Sequence, residues 1–284
     1  MRDRASWRAG HLTVRPPLMG YSPIMASIPK VTLNDGAAIP QFGLGVWRVP
    51  QDRTADTVRI AIEAGYRHVD TAQMYRNEEG VGQGVRDSGL DREDIWITTK
   101  LAGRSHGYEP AMRALDASLR RLGTDYVDLY LIHWPGRDGD LDTWRAFEKL
   151  RDDGRARSIG VSNFSARQLE LLADETGTVP AVNQVELNPW KPQRALREYH
   201  QRARIATEAW APLAEGGLLD DRTVRDIARR RDRTPAQVVL RWHLQVGNIV
   251  FPKSVTPSRI RENIDIADFE LSGDEMATID ALGR

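Results

Sequence analysis

"HVDTAQMYRNEEGVGQG", residues 68–84, admits two readings, and the choice between them decides the fold. If Gly80, Gly82 and Gly84 cradle a phosphate, the chain opens a doubly wound sheet on a dinucleotide fingerprint. If they only let a helix lie close to its neighbours, the chemistry of the stretch passes to Asp70 and Tyr75. The spacing favours the second reading. It is G-x-G-x-G, with Val85 where a third fingerprint glycine belongs, and it follows "RNEE" inside a helical pattern, not a tight turn after a strand. Glycine inside a helix costs about 1 kcal/mol against alanine, so these glycines ask for a packing reason.

Outward from this stretch, β-type runs alternate with amphipathic helical runs from Met25 onward. "KVTLNDGAAIPQFG" reads as a hairpin turning on Asn34, Asp35 and Gly36. Eight short apolar runs follow: "FGLGV", "RHVD", "DIWITTK", "VDLYLIH", "RSIGVS", "AVNQVE", "ATEAW" and "IVFPKS". Helical stretches at 54–64, 110–122, 143–153 and 166–175 lie between them, with apolar positions three or four apart. The alternation predicts an α/β fold on a parallel sheet, and eight repeats without a break in composition predict closure into a (β/α)8 TIM barrel. "SGDEMATIDALGR" reads as a terminal helix with a capping box between Ser272 and Glu275.

Composition narrows the function. Forty basic and forty acidic residues in 284 cancel, which removes a global case for nucleic acid or membrane attraction. No run approaches the ~18 apolar residues of a membrane-spanning helix. There is no cysteine, so disulfides, thiolate zinc sites and thiol nucleophiles are excluded, in keeping with a reducing cytoplasm. The Arg-rich opening "MRDRASWRAGHLTVRPPLMGYSPI" lacks the apolar run of a secretory signal. An organellar transit peptide is the lesser alternative. Residues 1–27 are expected to be a disordered extension, and 28–284 one barrel domain.

In such a barrel, chemistry belongs at the carboxyl ends of the strands. Reading those ends gives Trp47, Asp70, Lys100, His133, Ser162 with Asn163, Gln184, Trp210, and Lys253 with Ser254. Tyr75 falls in the loop above Asp70. A phenol with an ordinary pKa near 10 is a poor proton donor unless its anion is stabilised. A lysine ammonium beside it would lower that value, a carboxylate would hold the lysine charged, and an imidazole could polarise a carbonyl oxygen. Taken singly, each has a plainer role: a strand cap, a surface lysine, a packing tyrosine, a core histidine. Their convergence on one rim points to proton delivery for carbonyl reduction. After the eighth strand, "FPKSVTPSRIRENI" puts Lys253, Ser254 and Arg259 around a helix opened by Pro257, with Thr256 in position to cap it. Two cations, hydroxyls and helix amides suit a phosphate. Trp210 could stack a flat ring or simply pack.

The residues quoted above resemble the aldo-keto reductases, NADPH-dependent barrel enzymes, and are most similar to the bacterial diketogluconate-reductase-like branch. The resemblance rests on "GLGVW", "HVDTAQMY", "ITTKL", "RLGTDYVDLYLIHWP", "GVSNF", "NQVELNP" and "IVFPKSVTPSRIREN", and runs from Ile28 to the terminus. It implies a barrel whose N-terminal β-hairpin caps the bottom. It implies Tyr75 as general acid, tuned by Lys100 and Asp70, with His133 orienting the substrate carbonyl. Ser162, Asn163 and Gln184 would hold the nicotinamide amide, Trp210 would lie under the ring, and Gly45, Val46 and Trp47 would line its approach. Pro212 and Leu213 join the cofactor set. Lys253, Ser254, Val255, Thr256 and Arg259 would hold the 2′-phosphate, with Glu262 and Asn263 near the adenine. Trp47 and Trp134 would wall the substrate pocket. No metal is implied, and the family's usual form is a monomer.

Three departures from the family pattern stand out. Trp210 and Ala211 stand where many members have tyrosine and serine, and the loop after Leu213 is short, predicting a weak clamp on the pyrophosphate. The chain ends at "DALGR" where related sequences continue into a tail, predicting an open pocket and weak substrate discrimination. A non-enzymatic NADPH sensor is the rival reading, and the complete acid set argues against it. A metal-dependent hydrolase finds too few ligands on the rim.

Overall fold

The computed structural model describes residues 28–136 and 140–283, so the extension expected at 1–27 lies outside the described residues. Strands β1 (Lys30–Thr32) and β2 (Ala38–Pro40) pair antiparallel, with Gly36 at φ 89° in the turn and Asp35 Oδ1 accepting from the Ala37 amide. Eight parallel strands follow in chain order. They are β3 (Leu44–Gly45), β4 (His68–Asp70), β5 (Trp96–Leu101), β6 (Val127–Ile132), β7 (Ala156–Ser162), β8 (Val182–Glu186), β9 (Ala206–Trp210) and β10 (Ile249–Val250). The sheet closes where Phe42, just before β3, bridges Val250 in parallel. There the Gly43 amide donates to the Val250 carbonyl at 2.9 Å and the Val250 amide to the Gln41 carbonyl at 3.0 Å. The expected barrel and its eight strands are present.

Helices α1 (Gln51–Ala64), α2 (Glu78–Asp87), α3 (Tyr108–Leu122), α4 (Leu141–Asp152), α5 (Ala166–Thr176) and α6 (Arg194–Ala203) each follow one strand. Strict alternation then breaks. Two helices, α7 (Arg222–Arg231) and α8 (Pro235–Gln245), separate β9 from β10, and α9 (Pro257–Ile264) is followed by α10 (Gly273–Asp280). Local chemistry explains the split. Asp221 caps α7, Asp232 at φ 51° ends it, and Thr234 with Gln237 forms a capping box that restarts the helix at Pro235. The capping box predicted between Ser272 and Glu275 is formed.

Side chains two apart on a strand share a face, so each strand sends alternate residues inward. The lower interior is apolar. Leu33 and Ile39 of the hairpin pack there with Leu129, Leu131, Val182, Ile249 and Phe251, which seals the bottom. The layer above is polar and equally buried: Asp70, Lys100, Gln184 and Glu208. The glycines of α2 serve contact. A Cβ at Gly82 would run into the Leu122 carbonyl oxygen, one at Gly84 would lie 2.5 Å from the Ala55 carbonyl oxygen, and one at Gly80 would lie 2.6 Å from Thr54 Cβ. They let α2 lie against α1 and the end of α3.

Candidate active site

Asp70 ends β4 and Lys100 lies near the end of the adjacent β5, both pointing into the barrel mouth. Lys100 is fully buried, and its Nζ donates to Asp70 Oδ1 at 2.7 Å, Asp70 Oδ2 at 2.8 Å and the Thr71 carbonyl at 3.0 Å. Its remaining near neighbour is Tyr75 Oη at 3.5 Å, with the ammonium 5.1 Å from the ring centre. An ammonium so deeply buried survives only because its charge is met. Burial drags Lys100 down, but Asp70 above all, with Tyr75 and Glu208 close by, more than offsets that, leaving it above its ordinary value.

Tyr75 comes from a single 3-10 turn, Gln73–Tyr75, which ends where Arg76 turns left-handed at φ 57°. Two residues that sequence reading missed fix this turn. Asn77, fully buried, donates from Nδ2 to the carbonyls of Val46 at 2.8 Å and Val49 at 3.1 Å, and accepts from the Thr71 hydroxyl at 2.9 Å. Gln73 accepts from the Ala102 amide and donates to Ala114 O and Ser118 Oγ. All but Thr71 of their partners lie tens of residues away, mostly on backbone, and leave no trace in a motif. The phenol differs from expectation in one respect. Burial raises its pKa above 10, and Lys100, pulling the other way, does not reverse this. The hydroxyl is therefore protonated at neutral pH, and the ammonium acts on the phenolate that forms as the proton leaves.

His133, just past β6, meets the Tyr75 ring edge-on at 5.7 Å and stacks on Trp134. Burial, aided by Lys100, pushes the imidazole down to about 3, so it is neutral at pH 7. Asn163, in the left-handed region at φ 65°, ties three elements together. It donates to the His133 carbonyl at 3.1 Å and the Ser162 hydroxyl at 2.9 Å, and accepts from the Trp210 indole at 2.9 Å. Ser162 in turn donates to the Gln184 carbonyl at 2.8 Å. Trp47 and Trp134 stand exposed at the rim, 42% and 49% accessible, and Arg48 lies over the Trp47 ring. Val46 is buried, its amide bonded to the Asp70 carbonyl, and a Cβ at Gly45 would stand 2.8 Å from the Phe251 carbonyl oxygen.

On the far side, Pro212 is buried and accepts from His243, while Leu213 packs on the core. Lys253 and Arg259 are exposed beside the start of α9, with Val255 half-buried between them. Ser254 is buried and accepts from the Thr256 amide at 3.1 Å. Thr256 holds the N-cap position at φ -94° and ψ 117°, but the cap bond expected from its side chain is not formed. Uncapped amides beside two cations fit a phosphate. Asn263 is buried and Glu262 half-buried one turn on. The structure thus brings Asp70, Tyr75, Lys100, His133, Ser162, Asn163, Gln184 and Trp210 onto one mouth, and gathers the phosphate candidates separately at α9. Among the described residues no three His, Asp or Glu side chains are grouped as metal ligands would be.

Glu208 was not anticipated. It lies at the middle of β9, fully buried, in register with Gln184. Gln184 Nε2 donates to Asp70 Oδ2 at 2.9 Å and to Glu208 Oε2 at 2.8 Å, which leaves its own oxygen free to accept. Burial, with Asp70 nearby, raises Glu208 to about 8.

Residues 39–284 match the model of the Aldo/keto reductase family. An aldo-keto reductase of Mycolicibacterium smegmatis (strain ATCC 700084 / mc(2)155) is 54% identical over 256 residues, 89% of this chain and 93% of that one. The glyoxal reductase of Bacillus subtilis (strain 168) is 49% identical over 89% of this chain and 92% of its own. The methylglyoxal reductase DkgA of Escherichia coli (strain K12) is 45% identical over 92% and 95%. The crystal structure of a Gox0644 mutant in complex with NADPH superposes with a TM-score of 0.87 at 49% identity, covering 90% of this chain and 93% of that one. With a family model spanning the barrel and relatives near half identity along their lengths, the chain belongs to the aldo/keto reductase family.

Proposed function

We propose that this NADPH-dependent carbonyl reductase takes its proton from Tyr75 and acts on small aldehydes and ketones of the glyoxal and methylglyoxal kind. The carrying observation is the chain Asp70–Lys100–Tyr75, in which a buried ammonium held by both oxygens of one carboxylate has its next neighbour in the phenolic oxygen 3.5 Å away. When bound, NADPH supplies the hydride. Tyr75 gives its proton to the carbonyl oxygen, and Lys100 stabilises the phenolate left behind. His133, neutral, donates to the same oxygen and orients it; with Nδ1 buried and unpartnered, Nε2 is the nitrogen open to the mouth. Asp70 keeps Lys100 charged and fixed.

Ser162, Asn163 and Gln184 would hold the nicotinamide amide by Trp210, Gly45 to Trp47 with Pro212 and Leu213 would flank the dinucleotide, and Lys253 to Thr256 with Arg259 would take the 2′-phosphate. Glu262 and Asn263 stand by the adenine. Trp47 and Trp134, two exposed indoles on an open rim, support a shallow pocket for small substrates. Residues 28–284 form the catalytic domain, working as a monomer in the cytoplasm. A carbonyl panel followed at 340 nm with wild type and Tyr75→Phe tests the reading. The variant should bind NADPH as before and lose turnover by at least ~10²-fold on every substrate. Turnover within a fewfold of wild type would remove Tyr75 from the role.

A further inference from the structure

Glu208 belongs to no part of the mechanism above, yet it touches its centre. The Gln184 amide nitrogen is shared between Asp70 and Glu208, so the two carboxyls sit on either side of one donor group. Among the described residues, Glu208 Oε1 is buried with no hydrogen-bond partner. An ionised carboxylate has about four acceptor sites, and leaving them in the interior with one shared donor is costly, so this environment favours the protonated form. The charged groups facing Glu208 are Asp70 from β4 and Lys100 from β5. Strand β8 contributes the uncharged Gln184, and β10 places apolar Ile249 in register with it. Lys100 is already matched by Asp70, so a second anion has no cation of its own. On β9, Glu208 lies two residues before Trp210 and so on the same face, one side-chain layer below it.

We propose that Glu208 is a positioning residue that answers the redox state of the cofactor: its carboxyl keeps its proton beneath the neutral reduced ring and releases it to solvent when the ring is oxidised and cationic. The inference rests on the nicotinamide lying at Gln184 and Trp210. In the reduction, hydride passes to the carbonyl carbon, Tyr75 protonates the oxygen, and the ring gains one positive charge. The Glu208 O–H bond then breaks and leaves a carboxylate to meet that charge. The proton returns when oxidised cofactor is exchanged for reduced. Glu208 titrates from about 8 before the ring is charged, and a unit positive charge about one side-chain layer away lowers it by about one pK unit.

The test is calorimetric binding of NADP+ and of NADPH at pH 7.5 in two buffers of different ionisation enthalpy. Both dinucleotides carry the same 2′-phosphate, so its titration cancels in the comparison. Wild type should release about half a proton more with NADP+ than with NADPH, and the affinity ratio should shift toward NADP+ roughly tenfold between pH 6 and pH 9. Glu208→Gln should abolish both effects, whereas Tyr75→Phe should retain them. A flat affinity ratio in wild type overturns the proposal, as does a release that survives Glu208→Gln or vanishes with Tyr75→Phe. Trp210→Ala separates this from failure of the placement. If that variant binds both dinucleotides as wild type does, the nicotinamide is not at Trp210. If it weakens both while the proton release is absent in wild type, only the role of Glu208 falls.

Discussion

Glu208 shows at the scale of one residue how function is set against stability. Its folded pKa, near 8, lies above the ordinary 4.5, so the folded state holds the proton more tightly than the unfolded chain between those values. Stability contributed by that proton is full below pH 4.5 and is lost as pH rises toward 8. Glu208→Gln removes the titration and keeps the shape. It should stabilise the protein by about 4 kcal/mol at pH 8 and by little at pH 4.5, measured by urea unfolding across pH. An equal gain at both values would mean the carboxyl does not titrate in this range. Glu208 was illegible in the sequence because "ATEAW" reads as an ordinary strand, and only strand register reveals that its charged position points inward beside Gln184. Asp70, Lys100 and His133 were legible because they end strands, where a barrel has no packing need for them.

At the scale of elements, the glycines of α2 pose a problem that magnitudes settle. Alanine in a helix is favoured over glycine by about 1 kcal/mol, so propensity alone predicts that Gly82→Ala stabilises. Its added methyl, however, meets the backbone carbonyl of Leu122, which cannot rotate away. Overpacking costs about 1–3 kcal/mol or more, and the end of α3 must move to relieve it. The net prediction is destabilisation of at least about 1 kcal/mol, read as a lower urea midpoint at unchanged slope; a higher midpoint would show that α2 is not in close contact there. Helix and strand positions were legible because hydrophobic periodicity and caps are local. The division into α7 and α8 was not anticipated, although Asp221, Thr234, Pro235 and Gln237 carry its signals, because a one-helix-per-strand expectation overrode them.

The whole molecule works by dividing two tasks around one rim. On the proposed reading, strands β4, β5 and β6 and the loop after β4 present the proton-handling groups, while the start of α9 would present cations for the cofactor's phosphate. The two are separable by mutation. Lys253→Ala with Arg259→Ala should weaken NADPH about 10²-fold while changing NADH little, because each charge-assisted bond contributes about 1.5–3 kcal/mol. Equal loss for both cofactors would place the 2′-phosphate elsewhere. The central claim is that groups from β5 and the loop after β4 act as one acid, the ammonium working only through the phenol. Single-turnover oxidation of bound NADPH by glyoxal, compared across Tyr75→Phe, Lys100→Met and the double variant, tests it most directly, read on folded protein because Lys100→Met strands Asp70 at about 3–5 kcal/mol. The account predicts that the double variant is no slower than Tyr75→Phe alone. A rate slowed by the product of the two single effects would contradict it.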